Sequence, residues 1–380
     1  MIKTIKFNTN NLSPLLSLVC SVVPQKAPLE ILSNVRVKTK VLDGVGYVEL
    51  LASDTETWLE VRSECIACDD GICTCVEPRV LLQAIRNLDG KEVTMTFDDE
   101  KNATVCKYDN GHFSLPCEDA STFPLPKKDD DSFTTMRIPS LTLSNFIRKT
   151  ECAVATDALH PVMGGIHFVF GDDGMIAVAT DARKLVKCKD KTIKGNNSEV
   201  TLPHKPSKVM LPMLDAMGDG DTTVMFNNSM FYVIGDNFKL ATRLIDGKYP
   251  NYEAVIPKDN ELHVTMQRSD FIASVKRVST MMNASSELLV LDFHGNELTI
   301  NAEDLDFSKS ASESMPCESD FPKLEIGLKS SYLLQLLQNI DGERVRLELK
   351  SMNKPCVIKY DTIADSEEYI SITMPILFTP

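Results

Sequence analysis

The chain spells one pattern three times: an amphipathic helix, an acidic or glycine turn and a strand, at a spacing of about 125 residues. The first copy runs from Leu81 through Ile85 and Leu88 to Asp89-Gly90, then alternates Val93, Met95, Phe97. The second runs from Val209 to Met217, through Gly218-Asp219-Gly220, to Val224 and Phe226, and the third from Tyr332 to Ile340, through Asp341-Gly342, to Val345, Leu347 and Leu349. On this reading Gly90, Gly220 and Gly342 are equivalent points. The period is domain-sized, longer than the roughly 20 to 50 residues of a solenoid unit. The 380 residues therefore divide into three similar domains, expected at 1–131, 132–257 and 258–380.

Every repeat also opens on a helix. Leu12, Leu15, Leu16, Val19 and Val23 keep the spacing that gathers one apolar stripe, as do Leu143, Phe146 and Ile147, and then Phe271, Ile272, Val275, Val278 and Met282. Strand-like text follows each, at Ile31 to Val41, Gly165 to Phe170 and Leu288 to Ile300. One amphipathic helix cannot bury its stripe alone, so two helices side by side against a sheet satisfy each domain. The fold class is α+β.

Hydrophobic residues at 43% and charged residues at 25% are ordinary for a globular chain. No apolar run reaches the roughly 18 residues of a membrane span, and Met1 to Ile5 lacks a signal peptide's apolar core, which makes a cytoplasmic protein the expectation. Eleven irregularly spaced cysteines suit a reducing compartment. Cys65, Cys68, Cys73 and Cys75 admit two readings: a zinc or thiol centre, or a strand, a turn at Asp69-Asp70-Gly71 and a second strand with Cys73 and Cys75 on one face. The spacing suits paired zinc knuckles poorly, so no metal is assigned.

Phosphate-cradling glycine motifs, a G-x-S-x-G elbow and histidines paired at i, i+4 are all missing, which favours a binding protein over an enzyme and calls for no cofactor. A net charge of -14 is unusual for a partner of nucleic acid, yet the charges are sorted. Cations recur off the apolar stripes at Arg79, Arg86, Arg148, Lys149, Lys205, Lys208, Lys276 and Arg277, while acid gathers in turns such as Asp98-Asp99-Glu100, Asp129-Asp130-Asp131 and Asp304-Leu305-Asp306. Basic helix faces and acidic turns on three repeats point to a helical surface for phosphates.

Three strings carry a resemblance. Arg243-Leu244-Ile245-Asp246-Gly247-Lys248-Tyr249-Pro250-Asn251-Tyr252, Ala179-Thr180-Asp181-Ala182-Arg183-Lys184-Leu185-Val186 and Met374-Pro375-Ile376 are similar to segments of bacterial DNA sliding clamps, the beta subunits of DNA polymerase III. The resemblance implies three tandem clamp domains forming half of a closed ring. A head-to-tail homodimer would surround double-stranded DNA without regard to sequence. Its implied partners are the DNA polymerase III catalytic subunit, a clamp-loader complex and other clamp-binding repair and replication proteins.

By position, the resemblance makes Lys26 a DNA contact. It implies a client-peptide pocket of Met163, Thr180, Leu185, Pro250, Val255, Ile372, Met374, Pro375 and Ile376, and a subunit interface of Phe113 against Met281 and Met282. Ala254 stands where many relatives carry a basic residue, and the ending Leu377-Phe378-Thr379-Pro380 departs from the family's, which leaves the pocket rim open. A clamp-like scaffold that recruits proteins without encircling DNA is the alternative within the binding class.

Overall fold

The computed structural model describes residues 2–88, 90–98, 102–126, 132–157, 159–361 and 365–378. Asp89, the acidic stretches Asp99-Glu100 and Asp129-Asp131, and the final Thr379-Pro380 lie outside them.

Among the described residues six α-helices fall where the stripes predict: Thr9–Val22 (α1), Pro78–Ile85 (α2), Ser140–Glu151 (α3), His204–Met217 (α4), Arg268–Ser279 (α5) and Ser330–Gln338 (α6). Asn8 caps α1 by accepting from the Asn10 amide, and Pro78 opens α2 where its missing N–H is not needed. Leu12, Leu16 and Val19 of α1, Phe271, Val275 and Val278 of α5, and Leu333, Leu336 and Leu337 of α6 are buried. Each such side chain contributes about 1.5–3 kcal/mol through removal from water. Within their own units α1 packs beside α2 and α5 beside α6.

The repetition shows in the hydrogen bonds. The first residue of each opening helix donates its amide to the residue just before a later strand: Thr9 to Lys91 O (2.9 Å), Ser140 to Gly220 O (2.9 Å) and Arg268 to Glu343 O (2.8 Å). This corrects the equivalence read from sequence. Gly220 corresponds to Lys91 and Glu343, one place beyond Gly90 and Gly342; in the middle turn the left-handed residue is Gly218 (φ 56°). Three further expectations are revised. Glu30–Ser33 is a 3-10 turn, with the strand beginning at Val35, and Met282 lies past the end of α5. Ala67–Cys68 and Cys73–Val76 are strands, but they do not pair with each other: the first joins Ile2–Asn8, the second joins Val35–Leu42 and Gly111–Asp119.

The chain forms two compact units, Met1–Ser144 with Lys205–Leu244, and Asn145–His204 with Ile245–Pro380. The middle repeat is shared between them because sheets run across repeat boundaries. The first unit holds a thirteen-stranded antiparallel sheet from Thr134–Pro139 at one edge to Ala67–Cys68 at the other. In it, strand Thr57–Glu64 of the first repeat pairs with Phe238–Arg243 of the middle one, Trp58 opposite Ala241. The second unit holds a nine-stranded sheet in which Lys184–Asp190 of the middle repeat pairs with Glu367–Thr373 of the last, Leu185 opposite Ile372. A four-stranded sheet completes it, with Lys309–Pro316 at one edge.

Both cross-repeat joints are sealed alike. Asp54 and Asp181 each turn the chain tightly, Oδ1 accepting from the amides of Thr57 and Lys184 (2.8 Å in both), and the next-but-one carbonyl is turned outward. Glu56 O then receives the Arg243 amide (2.9 Å), and Arg183 O receives the Met374 amide (2.8 Å). Trp58 packs with Phe123, Met230 and Ala241 at one joint; Leu185 packs with Tyr249, Val357 and Ile372 at the other.

Trp58 is 5% exposed and donates its indole N–H to Pro124 O (3.0 Å). Trp58→Ala is expected to destabilise the first unit by about 3–5 kcal/mol, read from the urea midpoint followed by circular dichroism. A shift below about 1 kcal/mol, the size of a surface change, contradicts the joint's role.

Candidate functional site

At the second joint the chain leaves an apolar cavity of about 360 Å³. Its floor is made where sheet residues face inward: Leu185 and Ile372, adjacent across the joint and nearly fully buried. Its walls come from loops. Pro250, Asn251 and Tyr252 follow the Lys248-Tyr249 string, Val255 ends the short turn Tyr252–Val255, and Met163 lies in the turn Pro161–Gly164. Pro355 and Met374 complete the rim.

The polar groups around the cavity are mostly fixed. Thr180 Oγ1 donates to Lys184 O (2.8 Å) and accepts from the Ala182 amide (3.1 Å), holding the hairpin tip. The Lys184 side chain is 7% exposed; its ammonium donates to Gln335 Oε1 on α6 (2.6 Å), lies 3.6 Å from Asp181 and sits 4.6 Å from the Tyr332 ring centre. Beneath, Tyr249 OH accepts from the Thr180 amide (3.2 Å), and its ring stacks on His167 at 4.5 Å. Burial, then the charges of Glu253, Glu199 and Asp173, push the Tyr252 hydroxyl up to about 12, so it stays a neutral donor. By contrast Val255 is 57% exposed and Met374 43%, large apolar surfaces at the mouth of an apolar hole. Such a site suits a short peptide with bulky apolar anchors.

Of the pocket residues expected from sequence, Met163, Thr180, Leu185, Pro250, Val255, Ile372 and Met374 line this one cavity. Pro375 and Ile376 do not. The Ile376 amide donates to Gly327 O (2.8 Å), so the chain after Met374 leaves the pocket and runs along strand Lys323–Lys329. Sequence reasoning missed Ala182, Arg183, Lys184, Asn251, Tyr252 and Pro355. The first five lie inside strings already quoted; Pro355 carries no signal of its own.

The cations expected to meet phosphate sort into two kinds. Lys149 is corrected: it is largely buried, paired with Asp341 (3.1 Å) and set against the Tyr360 ring, and these contacts raise its pKa against the opposing pull of burial. Lys205 is bound to Asp54 (2.5 Å), and Arg277 forms a two-pronged pair with Glu313, so their charge is locally cancelled. Arg79 holds the carbonyls of Val23 (2.8 Å) and Pro24 (3.3 Å) at the end of α1, and Arg86 reaches Ser17 Oγ (3.2 Å); both remain exposed and uncancelled by acid among the described residues. Arg148 and Lys208 are exposed. Lys26 and Lys276 are exposed too, with no ion-pair partner among the described residues.

Phe113 is half-buried beside Tyr108, Met281 is exposed and Met282 partly so. The neighbouring tip is another correction. Asp304-Leu305-Asp306, read as an acidic turn, buries Asp304 as an acceptor for Asn283 Nδ2 (3.2 Å) and projects Leu305 (84% exposed) and Phe307 (71%). Among the described residues no three His, Cys, Asp or Glu side chains converge as a metal site requires, and no helix is long and apolar enough to cross a membrane.

Family profiles of the DNA polymerase III beta subunit match nearly the whole chain: the N-terminal domain over residues 4–127, the central domain over 137–251 and the C-terminal domain over 253–375. The beta sliding clamp of Staphylococcus epidermidis RP62A is 24% identical over 366 residues, covering 93% of this chain and 94% of that protein. That of Synechocystis sp. PCC 6803 is 25% identical over 371 residues, covering 92% and 93%. Among solved structures, the sliding clamp (DNA polymerase III subunit beta) of Bartonella birtlesii bound to griselimycin superposes with a TM-score of 0.90 at 24% identity over 100% of both chains. The beta subunit of Thermotoga maritima gives 0.88 at 19% identity, over 99% of this chain and 100% of that one.

His167 under the pocket is 4% exposed, and burial lowers its pKa, with Glu199 opposing. The folded state thus refuses a proton that the unfolded chain accepts. Its stability is whole above the ordinary histidine pKa of about 6.5 and is lost as pH falls through the lower folded value. Between about pH 7 and about pH 5 the melting temperature of the wild type is expected to drop more than that of His167→Gln; equal drops contradict this assignment.

Proposed function

The chain belongs to the family of the DNA polymerase III beta subunit and is a DNA sliding clamp; from that premise we propose that two copies close head to tail around duplex DNA and tether a polymerase through the apolar pocket. The three domains are drawn at 1–131, 132–257 and 258–380, working in the cytoplasm with no catalysis of their own. Its partners are double-stranded DNA, the catalytic subunit of the polymerase, a clamp loader and other clients carrying a similar peptide.

The observation that carries the reading is a joint made twice and left open once. Strands Thr57–Glu64 and Lys184–Asp190 each pair with the last strand of the following repeat. Their counterpart in the last repeat, Lys309–Pro316, pairs only with Glu297–Asp304 among the described residues. The last strand of the first repeat, Gly111–Asp119, lacks a cross-repeat partner over Gly111 to Pro116, where among the described residues it pairs only with Ala103–Tyr108. Two open edges of complementary kind on one chain are both satisfied when a twin supplies the missing strands. Leu305 and Phe307, at the tip that in the other repeats grips the next strand, join Met281, Met282 and Phe113 as apolar contacts for that twin.

Around DNA no base need be read. Lys26, Arg79, Arg86, Arg148, Lys208 and Lys276 supply phosphate contacts that are screened by salt and indifferent to sequence, while the net charge of -14 discourages binding elsewhere. Closure, not affinity, holds the protein on its template. Clients then reach DNA by burying leucine or phenylalanine anchors between Leu185, Ile372, Val255 and Met374.

Loaded with its clamp loader and ATP onto nicked circular DNA, the protein is expected to stay bound through gel filtration at high salt and to be released when the circle is cut. Equal retention on circle and line would support a scaffold that does not encircle. Reversing Arg148 and Lys276 to Glu should weaken binding to DNA and flatten the plot of log affinity against log salt by about one unit for each phosphate no longer neutralised; an unchanged slope removes those residues from the DNA face. Val255→Asp with Met374→Asp, both at the rim, should cut affinity for a fluorescent peptide with leucine and phenylalanine anchors by about tenfold or more, about 1.4 kcal/mol, without changing the particle's mass. Unaltered peptide affinity would place the client elsewhere.

A further inference from the structure

The cysteine cluster divides into unlike pairs. Cys73 and Cys75 share strand Cys73–Val76, and Cys75 is buried in the core with Trp58 and Phe123. Cys65 and Cys68 instead flank a bend whose two ends are tied to different strands. The Cys65 amide donates to Gly46 O (3.0 Å), the Ile66 amide to Lys6 O (2.9 Å), and Cys68 stands opposite Ile5. Backbone bonds thus fix where both thiols begin.

The sulfurs converge over a glycine. A Cβ on Gly46 would lie 2.7 Å from Cys68 Sγ, closer than real contacts allow, and 3.0 Å from Cys65 Sγ, tighter than most, so the missing side chain is the space the two thiols share. Both cysteines are free and partly exposed, within reach of a small solute. A tetrahedral metal site would need further ligands, and among the described residues no third one joins them.

We propose that Cys65 and Cys68 are a redox-responsive dithiol that takes a reversible intramolecular disulfide by exchange with a low-molecular-weight disulfide. In the first step one cysteine, as thiolate, attacks a sulfur of the small disulfide; its S–S bond breaks and one thiolate leaves. The second cysteine gives its proton to solvent and displaces the other small thiolate, which closes the Cys65–Cys68 bond. Two electrons pass from the cysteine pair to the small disulfide, which ends as two thiols. Burial, then the hydrogen bond and charge of Cys68, push the Cys65 thiol up to about 12, which makes Cys65 a slow attacker at neutral pH. The bridge, once made, is opened again by a thiol reductant through the reverse exchange. It ties the end of strand Thr57–Glu64 to the edge strand Ala67–Cys68, and the chemistry is independent of DNA or clients.

The test uses the full-length, reduced wild type. It is incubated with excess oxidised glutathione, blocked with iodoacetamide without reduction, digested and read by mass spectrometry. The peptide holding Cys65 and Cys68 is expected to lose both alkylation sites and two hydrogens, and to regain the sites after dithiothreitol. In Cys68→Ser the bridge should be gone and Cys65 found alkylated or glutathionylated, and Gly46→Ala, which fills the shared space, should lower the bridged fraction of folded protein. Full alkylation of both cysteines after oxidant, or glutathione adducts on them without a bridge, overturns the proposal. So does zinc retained at one equivalent by the purified protein and shielding both thiols from the oxidant.

Discussion

Pairing of strand edges across repeat boundaries is the interaction on which everything else in this molecule rests. A single repeat of two helices on a short sheet ends in exposed strands, and an exposed edge with unpaired N–H and C=O groups is a liability. Here the liability is used as a connector. Strand Thr57–Glu64 takes Phe238–Arg243, and Lys184–Asp190 takes Glu367–Thr373, with aligned register and a hairpin-tip carbonyl accepting one more amide in each case. Ladder bonds fix direction and register, and side chains such as Trp58 and Leu185 then make each joint a core.

The same joint produces the candidate binding site. The second tip is set by Asp181 and by Ala182 with φ 69°, a left-handed conformation costly outside glycine. It turns Arg183 O toward the Met374 amide and leaves Leu185 and Ile372 under an apolar opening. The first tip, with Thr55 at φ 78°, is built alike, but there Asp54 binds Lys205 and Glu56 pairs with Arg243. Charge covers one joint and apolar rim residues cover the other. A repeated scaffold thereby presents an apolar opening at one joint, floored by strand residues and walled by loops.

The helices were legible because their signal is local. Leu12, Leu16 and Val19, or Leu333, Leu336 and Leu337, declare a buried stripe within a few turns. The joints were not, since Trp58 meets Ala241 and Leu185 meets Ile372 only after long stretches of intervening chain, and no periodicity encodes that. Resemblance to a family named seven of the residues that line the apolar cavity, which composition could not; Pro375 and Ile376 do not line it, and the Ile376 amide is engaged by Gly327 O. Charge was the least reliable guide. Lys149, Lys205 and Arg277 look alike in sequence to Lys276, but an acid brought in by the fold partners each of the first three. Asp304-Leu305-Asp306 read as acidic surface because the burial of Asp304 depends on Asn283, invisible at a distance in sequence.

Whether the open edges at Lys309–Pro316 and Gly111–Asp119 complete each other is the central claim, and sedimentation equilibrium of the purified wild type beside a Leu305→Asp, Phe307→Asp variant tests it most directly. Closure predicts a wild-type particle of two chain masses and a variant shifted toward one, with the circular dichroism of both unchanged. A wild type that sediments as a single chain at micromolar concentration would contradict it.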